Sequence, residues 1–186
     1  MKKKTFLLIA IPLITLSLVW LVITPILFPI TTAGSQGAAA HPGFLAPDFT
    51  LSSPTGESVT LSDYHGQPVL VFLWASWCSV CKGAMPGLQT VYEAYAPQGF
   101  ELLAVNMTTQ DSAAAAEAYF ASQGYTYPML LDAEGAVASA YQMHALPTAV
   151  LVDPDGTVLD VVIGSGMSAG FLQARLDEIF NNVESE

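Results

Sequence analysis

The feature that most restricts this chain is the join between an apolar run, Pro68 to Trp74, and the pattern Cys78-Ser79-Val80-Cys81 just after it. The run carries no charge and is built of Val, Leu and Phe, which reads as a strand buried on both faces. Val80 to Ala96 reads as a helix, with Pro86 inside it as a kink. A strand that passes straight into a helix sets Cys78 at the helix N-terminus. Unpaired backbone N–H groups and the helix dipole favour an anion there. A thiolate is such an anion, so the spacing predicts a lowered pKa and raised nucleophilicity for Cys78. Cys81 lies one turn further on, within reach of a mixed disulfide formed at Cys78. Dithiol–disulfide exchange needs these two parts.

The other elements follow from similar patterns. Phe49-Thr50-Leu51 and Ser58 to Leu61 flank Ser53-Pro54-Thr55-Gly56 and predict a hairpin. Leu61 to Tyr64 predicts a short helical turn. Phe100 to Val105 is a second buried strand, Ser112 to Ser122 a helix, Tyr127 to Leu131 a short strand, and Glu134 to Gln142 a helix. Thr148 to Val152 and Thr157 to Ile163 are strands joined by Asp153-Pro154-Asp155-Gly156. Ala169 to Phe180 is the last helix, with Phe171, Leu172, Leu176 and Phe180 on one face. Strands and helices alternate and then close as ββα. This α/β order implies a mixed central sheet with helices on both faces.

Residues 1–30 form a separate object. Lys2, Lys3 and Lys4 open it, and Thr5 to Ile30 contains no charge. That is long enough for one transmembrane helix, a signal-anchor with its N-terminus in the cytoplasm and the rest of the chain outside. A cleaved signal peptide is the rival reading, with Thr31-Thr32-Ala33 or Ala38-Ala39-Ala40 as its processing site. Residues 31–43, rich in Gly, Ala, Ser and Thr, are expected as a flexible tether, and 44–186 as the folded domain. Of five basic residues, three are the opening lysines, so Lys82 and Arg175 alone face all sixteen acids. Such a surface repels phosphate backbones and argues against nucleic-acid partners. It suits basic protein partners or solubility alone.

Other readings of the two cysteines each demand a different chemistry. A structural disulfide across C-x-x-C closes a very small loop and stabilises little. A zinc site needs about four ligands, and no second C-x-x-C or paired His supplies them. A copper-binding module would combine the thiols with Met143 and His144. A peroxidase reading rests on a resemblance to peroxiredoxins, which usually carry Thr three residues before the reactive cysteine, where this chain has Ala75. Leu146-Pro147-Thr148 is the second candidate element. Read alone, Pro147 is a strand-start proline; in the cis form it would bring the Leu146 backbone alongside the sulfurs, ready to pair with an extended substrate as an added strand.

The stretch Trp74-Ala75-Ser76-Trp77-Cys78-Ser79-Val80-Cys81-Lys82, then Pro86, Leu146-Pro147-Thr148 and Asp153-Pro154-Asp155-Gly156, resembles the thioredoxin superfamily. Ala46-Pro47-Asp48-Phe49-Thr50-Leu51 and the strand–helix piece at 100–122 resemble its TlpA/ResA-like branch of membrane-anchored, outward-facing thiol–disulfide oxidoreductases. The resemblance covers about residues 44–182. It implies a thioredoxin fold with an N-terminal hairpin and a β-α insertion. It implies Cys78 as nucleophile, Cys81 as resolving thiol and Pro147 as the cis-proline. It also implies protein thiols or disulfides as substrates, apocytochrome c among them, a membrane thiol carrier as electron donor, and no cofactor beyond the redox-active cysteine pair. Trp77, beside the nucleophile, is expected to shield the sulfur or contact substrate, and Trp74 to pack in the core. Lys82 either steadies the thiolate or is an ordinary solvated residue. Two positions depart from the family. Val80 replaces the usual proline before the second cysteine. Phe72 stands where thioredoxin carries a buried acid, so a proton for Cys81 has to come from elsewhere; Glu93 and Glu101 are expected on the surface.

Overall fold

The computed structural model describes residues 38–183. The anchor expected over 1–30, and the tether as far as residue 37, lie outside the described residues. Among those described, no helix is long and apolar enough to cross a membrane.

One seven-stranded sheet organises the domain. Strands β1 (Thr50–Ser52) and β2 (Ser58–Thr60) form the expected hairpin, and β3 (Val69–Trp74) is followed by helix α1 (Ser79–Tyr95). Then come β4 (Glu101–Asn106), α2 (Ala113–Gln123), β5 (Met129–Leu131), α3 (Ala136–Ala140), β6 (Thr148–Val152), β7 (Val158–Ile163) and α4 (Ala169–Val183). The spatial order is β2-β1-β5-β4-β3-β6-β7. Strands β3, β4 and β5 run parallel, as their helical crossovers α1 and α2 require. Strands β6 and β7 are antiparallel and are joined by the Asp153–Gly156 turn. There the Asp153 carboxylate accepts from the amides of Asp155 and Thr157, and Gly156 takes the φ of +85° that other residues resist.

The continuous apolar run of β3 is explained by two cores. Leu70, Phe72 and Trp74 face one cluster, with Met85, Leu88 and Val91 of α1, Phe120 of α2 and Leu172 and Leu176 of α4. Val69, Val71 and Leu73 face the other, with Leu61, Val137 and Tyr141. The same alternation splits β4 and β6 between the clusters, so their polar residues, Glu101, Asn106 and Thr148, sit only at strand ends. The strand–helix piece expected as an addition runs through the middle of the sheet: β4 is paired with β3 along its whole length, from Val69↔Glu101 to Trp74↔Asn106. The link from this centre to the hairpin is β5, which pairs with β1 at Ser52↔Leu131.

Two boundaries differ from expectation. Helix α3 is only five residues long, because Gly135 before it and Gln142 after it both adopt positive φ, 72° and 47°. The final part of the expected tether is also ordered. Gly43 N–H donates to the Val158 carbonyl at 2.9 Å, and Leu45 forms a bridge with Thr157. The open edge of β7 offers unpaired backbone groups, and the chain entering the domain takes some of them.

Candidate functional site

The disulfide site is built where β3 ends. A turn closes from Ala75 to Cys78, with the Cys78 N–H donating to the Ala75 carbonyl at 3.0 Å. Cys78 has extended dihedrals and serves as the N-cap of α1, its sulfur accepting from the Cys81 N–H at 3.1 Å. A sulfur thus occupies the position that a Ser or Asp oxygen takes in most helices. Cys78 and Cys81 are joined in a disulfide with Cα atoms 5.3 Å apart. Cys78 is 6% exposed and Cys81 is fully buried, so an incoming thiol has access through Cys78. Helix α1 buries Cys81, Met85, Leu88 and Val91, one stripe at spacings of three and four. Gly87 lets it approach α4 closely: a Cβ there would lie 3.2 Å from that of Ala169.

The Leu146–Pro147 peptide is cis. Thr148 pairs with Leu73 on one side and with Ile163 on the other, so the proline loop stands at the same end of the sheet as the disulfide. Pro147 and Thr148 are buried and Leu146 is half-buried. The Thr148 hydroxyl donates to the Ala145 carbonyl at 2.7 Å, and the Pro147 carbonyl accepts from the Gly164 N–H at 2.8 Å. Around this end three large apolar residues are open to solvent: Trp77 at 59%, Val80 at 45% and Ile163 at 56%. From Val80 a groove of about 400 Å³ runs between the start of α1 and the Ser165–Ala169 segment.

Trp74 is fully buried, as expected, and packs on Tyr119 and Phe120. Phe72 is fully buried on the α1 side, so that side of β3 carries no carboxyl beneath Cys81. Glu93 is exposed. Glu101 differs from expectation: it is half-buried, and burial pushes its carboxyl above the usual range, offset only in part by hydrogen bonds from the Leu102 N–H and Tyr92. Burial and then that carboxylate raise Tyr92 to about 12. Glu101 pairs with Val69, five residues before Trp74 and so about 16 Å from the disulfide end at about 3.3 Å per residue. It is no proton shuttle for Cys81. The Lys82 ammonium lies 4.8 Å from the centroid of the Tyr119 ring on α2, a cation–π contact. Ala75 brings no hydroxyl to the sulfur. Met143 packs in the core on the opposite side of the sheet from the two cysteines, and His144 is exposed. Among the described residues no three His, Cys, Asp or Glu side chains gather to hold a metal.

Asp111 is the residue that sequence reasoning did not find. Its carboxylate accepts four hydrogen bonds: from the Ser76 N–H at 2.5 Å, the Ser76 hydroxyl at 2.6 Å, the Asn106 amide at 2.8 Å and the Ser112 N–H at 2.8 Å. Partial burial works against its charge, but these donors outweigh burial and hold the carboxyl below the usual aspartate range. Next to it, the Gln110 carbonyl accepts from the Trp77 indole at 2.9 Å. No local pattern links positions 35 residues apart, and only the pairing of β3 with β4 brings them together.

A disulfide capping a helix at the end of a central parallel strand, facing a cis-proline loop, defines a thioredoxin-fold thiol–disulfide oxidoreductase. The chain belongs to the AhpC/TSA family, whose model matches residues 42–161. It is 33% identical over 145 residues to the thiol-disulfide oxidoreductase ResA of Geobacillus kaustophilus, spanning 78% of this chain and 82% of that one. To ResA of Bacillus subtilis it is 36% identical over 120 residues, 64% of this chain and 66% of that one. The crystal structure of StoA from Bacillus subtilis superposes with a TM-score of 0.62 at 26% identity, over 73% of this chain and 97% of that one. Thioredoxin-like oxidoreductases of this kind work through their cysteine pair and need no cofactor.

Proposed function

We propose that this chain is a protein-disulfide reductase, anchored in the membrane by residues 1–30 with its domain on the extracytoplasmic side. In the reduced form the Cys78 thiolate attacks a substrate disulfide. A Cys78–substrate S–S bond forms, and the departing substrate sulfur takes up a proton. Cys81 loses its proton and attacks the Cys78 sulfur, which re-forms the internal disulfide and releases the second substrate thiol. The substrate gains two electrons and two protons, and a membrane thiol carrier restores the reduced pair. Leu146, Pro147 and Thr148 position the substrate backbone beside Cys78, and Trp77 covers part of it. Apocytochrome c, whose paired thiols must be reduced before haem attachment, is the substrate proposed.

The observation that carries this reading is the asymmetry of the pair: Cys78 caps the helix and is reachable, while Cys81 is sealed. The test is trapping. Cys81→Ser should accumulate a mixed disulfide at Cys78 with substrate protein, and Cys78→Ser should abolish both trapping and turnover. Undiminished disulfide reduction by Cys78→Ser would end the proposal.

A further inference from the structure

The turn that delivers Cys78 to the helix has two central residues, Ser76 and Trp77, and consecutive residues of one loop hold both. Asp111 grips Ser76 by its amide and its hydroxyl, and the Gln110 carbonyl takes the Trp77 indole. The loop itself is fixed to the sheet. Asn106, fully buried and paired with Trp74 at the end of β3, donates its side-chain amide to Asp111. The fourth donor, the N–H of Ser112, comes from the N-cap of α2. One carboxylate therefore joins the end of β4, the start of α2 and the turn before the reactive sulfur. Hydrogen bonds to a charged acceptor are about twice as strong as neutral ones, so this is a stiff joint.

We propose that Asp111 is a positioning residue for the redox step: by fixing the Ala75–Cys78 turn through Ser76, it sets how well the amides at the start of α1 solvate the Cys78 thiolate. The inference rests on the reading of Cys78 as the attacking sulfur. It carries a sign that a purely electrostatic role does not share. As a bare negative charge near a thiolate, Asp111 would oppose ionisation, and neutralising it would make Cys78 more acidic. As a positioning group it does the reverse. Neutralising it removes an acceptor, frees the turn and makes Cys78 less acidic. Lys82, the basic residue of α1, lies over the Tyr119 ring, and Glu93 lies about four turns along the helix from Cys78, so neither substitutes for the lost joint.

The test measures the alkylation rate of the reduced full-length chain against pH, with the modified cysteine identified by mass, in wild type, Asp111→Asn and Ser76→Ala. In wild type Cys78 should react first. Asp111→Asn should raise the pKa of Cys78 by about one unit, which is about tenfold less thiolate at a pH below it, and should shift the reduction potential of the pair towards more reducing values. Ser76→Ala, which removes the hydroxyl donor and keeps the amide, should move both readouts the same way by less. Ser76→Ala also carries the test if Asp111→Asn fails to fold. A fall in the Cys78 pKa, or no change in folded variants, overturns the positioning role. Alkylation of Cys81 first in wild type overturns the reading of Cys78 and this inference with it.

Discussion

Trp77→Ala should weaken turnover of protein substrates far more than turnover of small disulfides. Trp77 is 59% exposed beside the disulfide. A side chain of this size offers up to about 250 Å², so about 150 Å² of it is open to a partner. If a substrate polypeptide covers half of that, it buries about 75 Å², worth about 2 kcal/mol at about 25 cal/mol per Å². That is roughly 25-fold in kcat/KM. The assay compares kcat/KM for a protein disulfide with that for a small aromatic disulfide, which is too short to span the indole. Trp77→Phe, which keeps most of the apolar area and loses the hydrogen bond to Gln110, separates contact from positioning. The expectation is a large loss on protein and a small one on the small disulfide for Trp77→Ala, with Trp77→Phe close to wild type. An equal loss on both substrates would refute the reasoning, because it would place the effect in the turn rather than at the substrate. So would no loss on either.

Two further outcomes follow from the packing and the buried charge. Gly83→Ala should raise Tm by about 2–4 °C, because a Cβ there meets nothing within 4 Å and helix propensity favours Ala by about 1 kcal/mol. Gly87→Ala should gain less, since its Cβ presses on that of Ala169 at 3.2 Å; equal gains in thermal melts would contradict the close approach of α1 and α4. Glu101→Gln should change stability in a pH-dependent way. Burial raises the carboxyl's pKa in the folded state, so folding favours the protonated form, and its contribution is lost as pH rises through that raised value. The variant should therefore gain on wild type between pH 4 and pH 7 in thermal melts, and a constant or shrinking difference would count against the buried carboxylate.

The centre of the fold was legible because its signals are local. An apolar strand covered on both faces leaves a run such as Val69–Trp74, and the stripe of Cys81, Met85, Leu88 and Val91 announces the helix after it. The ββα close was readable from its Asp-Pro-Asp-Gly turn. Asp111 was hidden for the opposite reason: its four donors come from three separate elements, and the nearest pattern around it is an ordinary helix start. Glu101 looked like a surface acid because it opens a strand, and only the side chains of its neighbours bury it. The contact of Lys82 with Tyr119 was equally hidden, since the ring comes from another helix 37 residues on. The ordered stretch from Ala38 to Gly43 reads as linker by composition, since its order is supplied by the edge of β7 and not by its own residues.

That last stitch has a mechanical consequence. The entering chain is fastened at Val158, the first residue of β7, while Ile163, its last, lies beside the proline loop. The strand between them spans about 16 Å at about 3.3 Å per residue. Tension on the leading segment would load a bridge at one pole of the domain as shear, and the sulfurs at the other pole would stay unloaded.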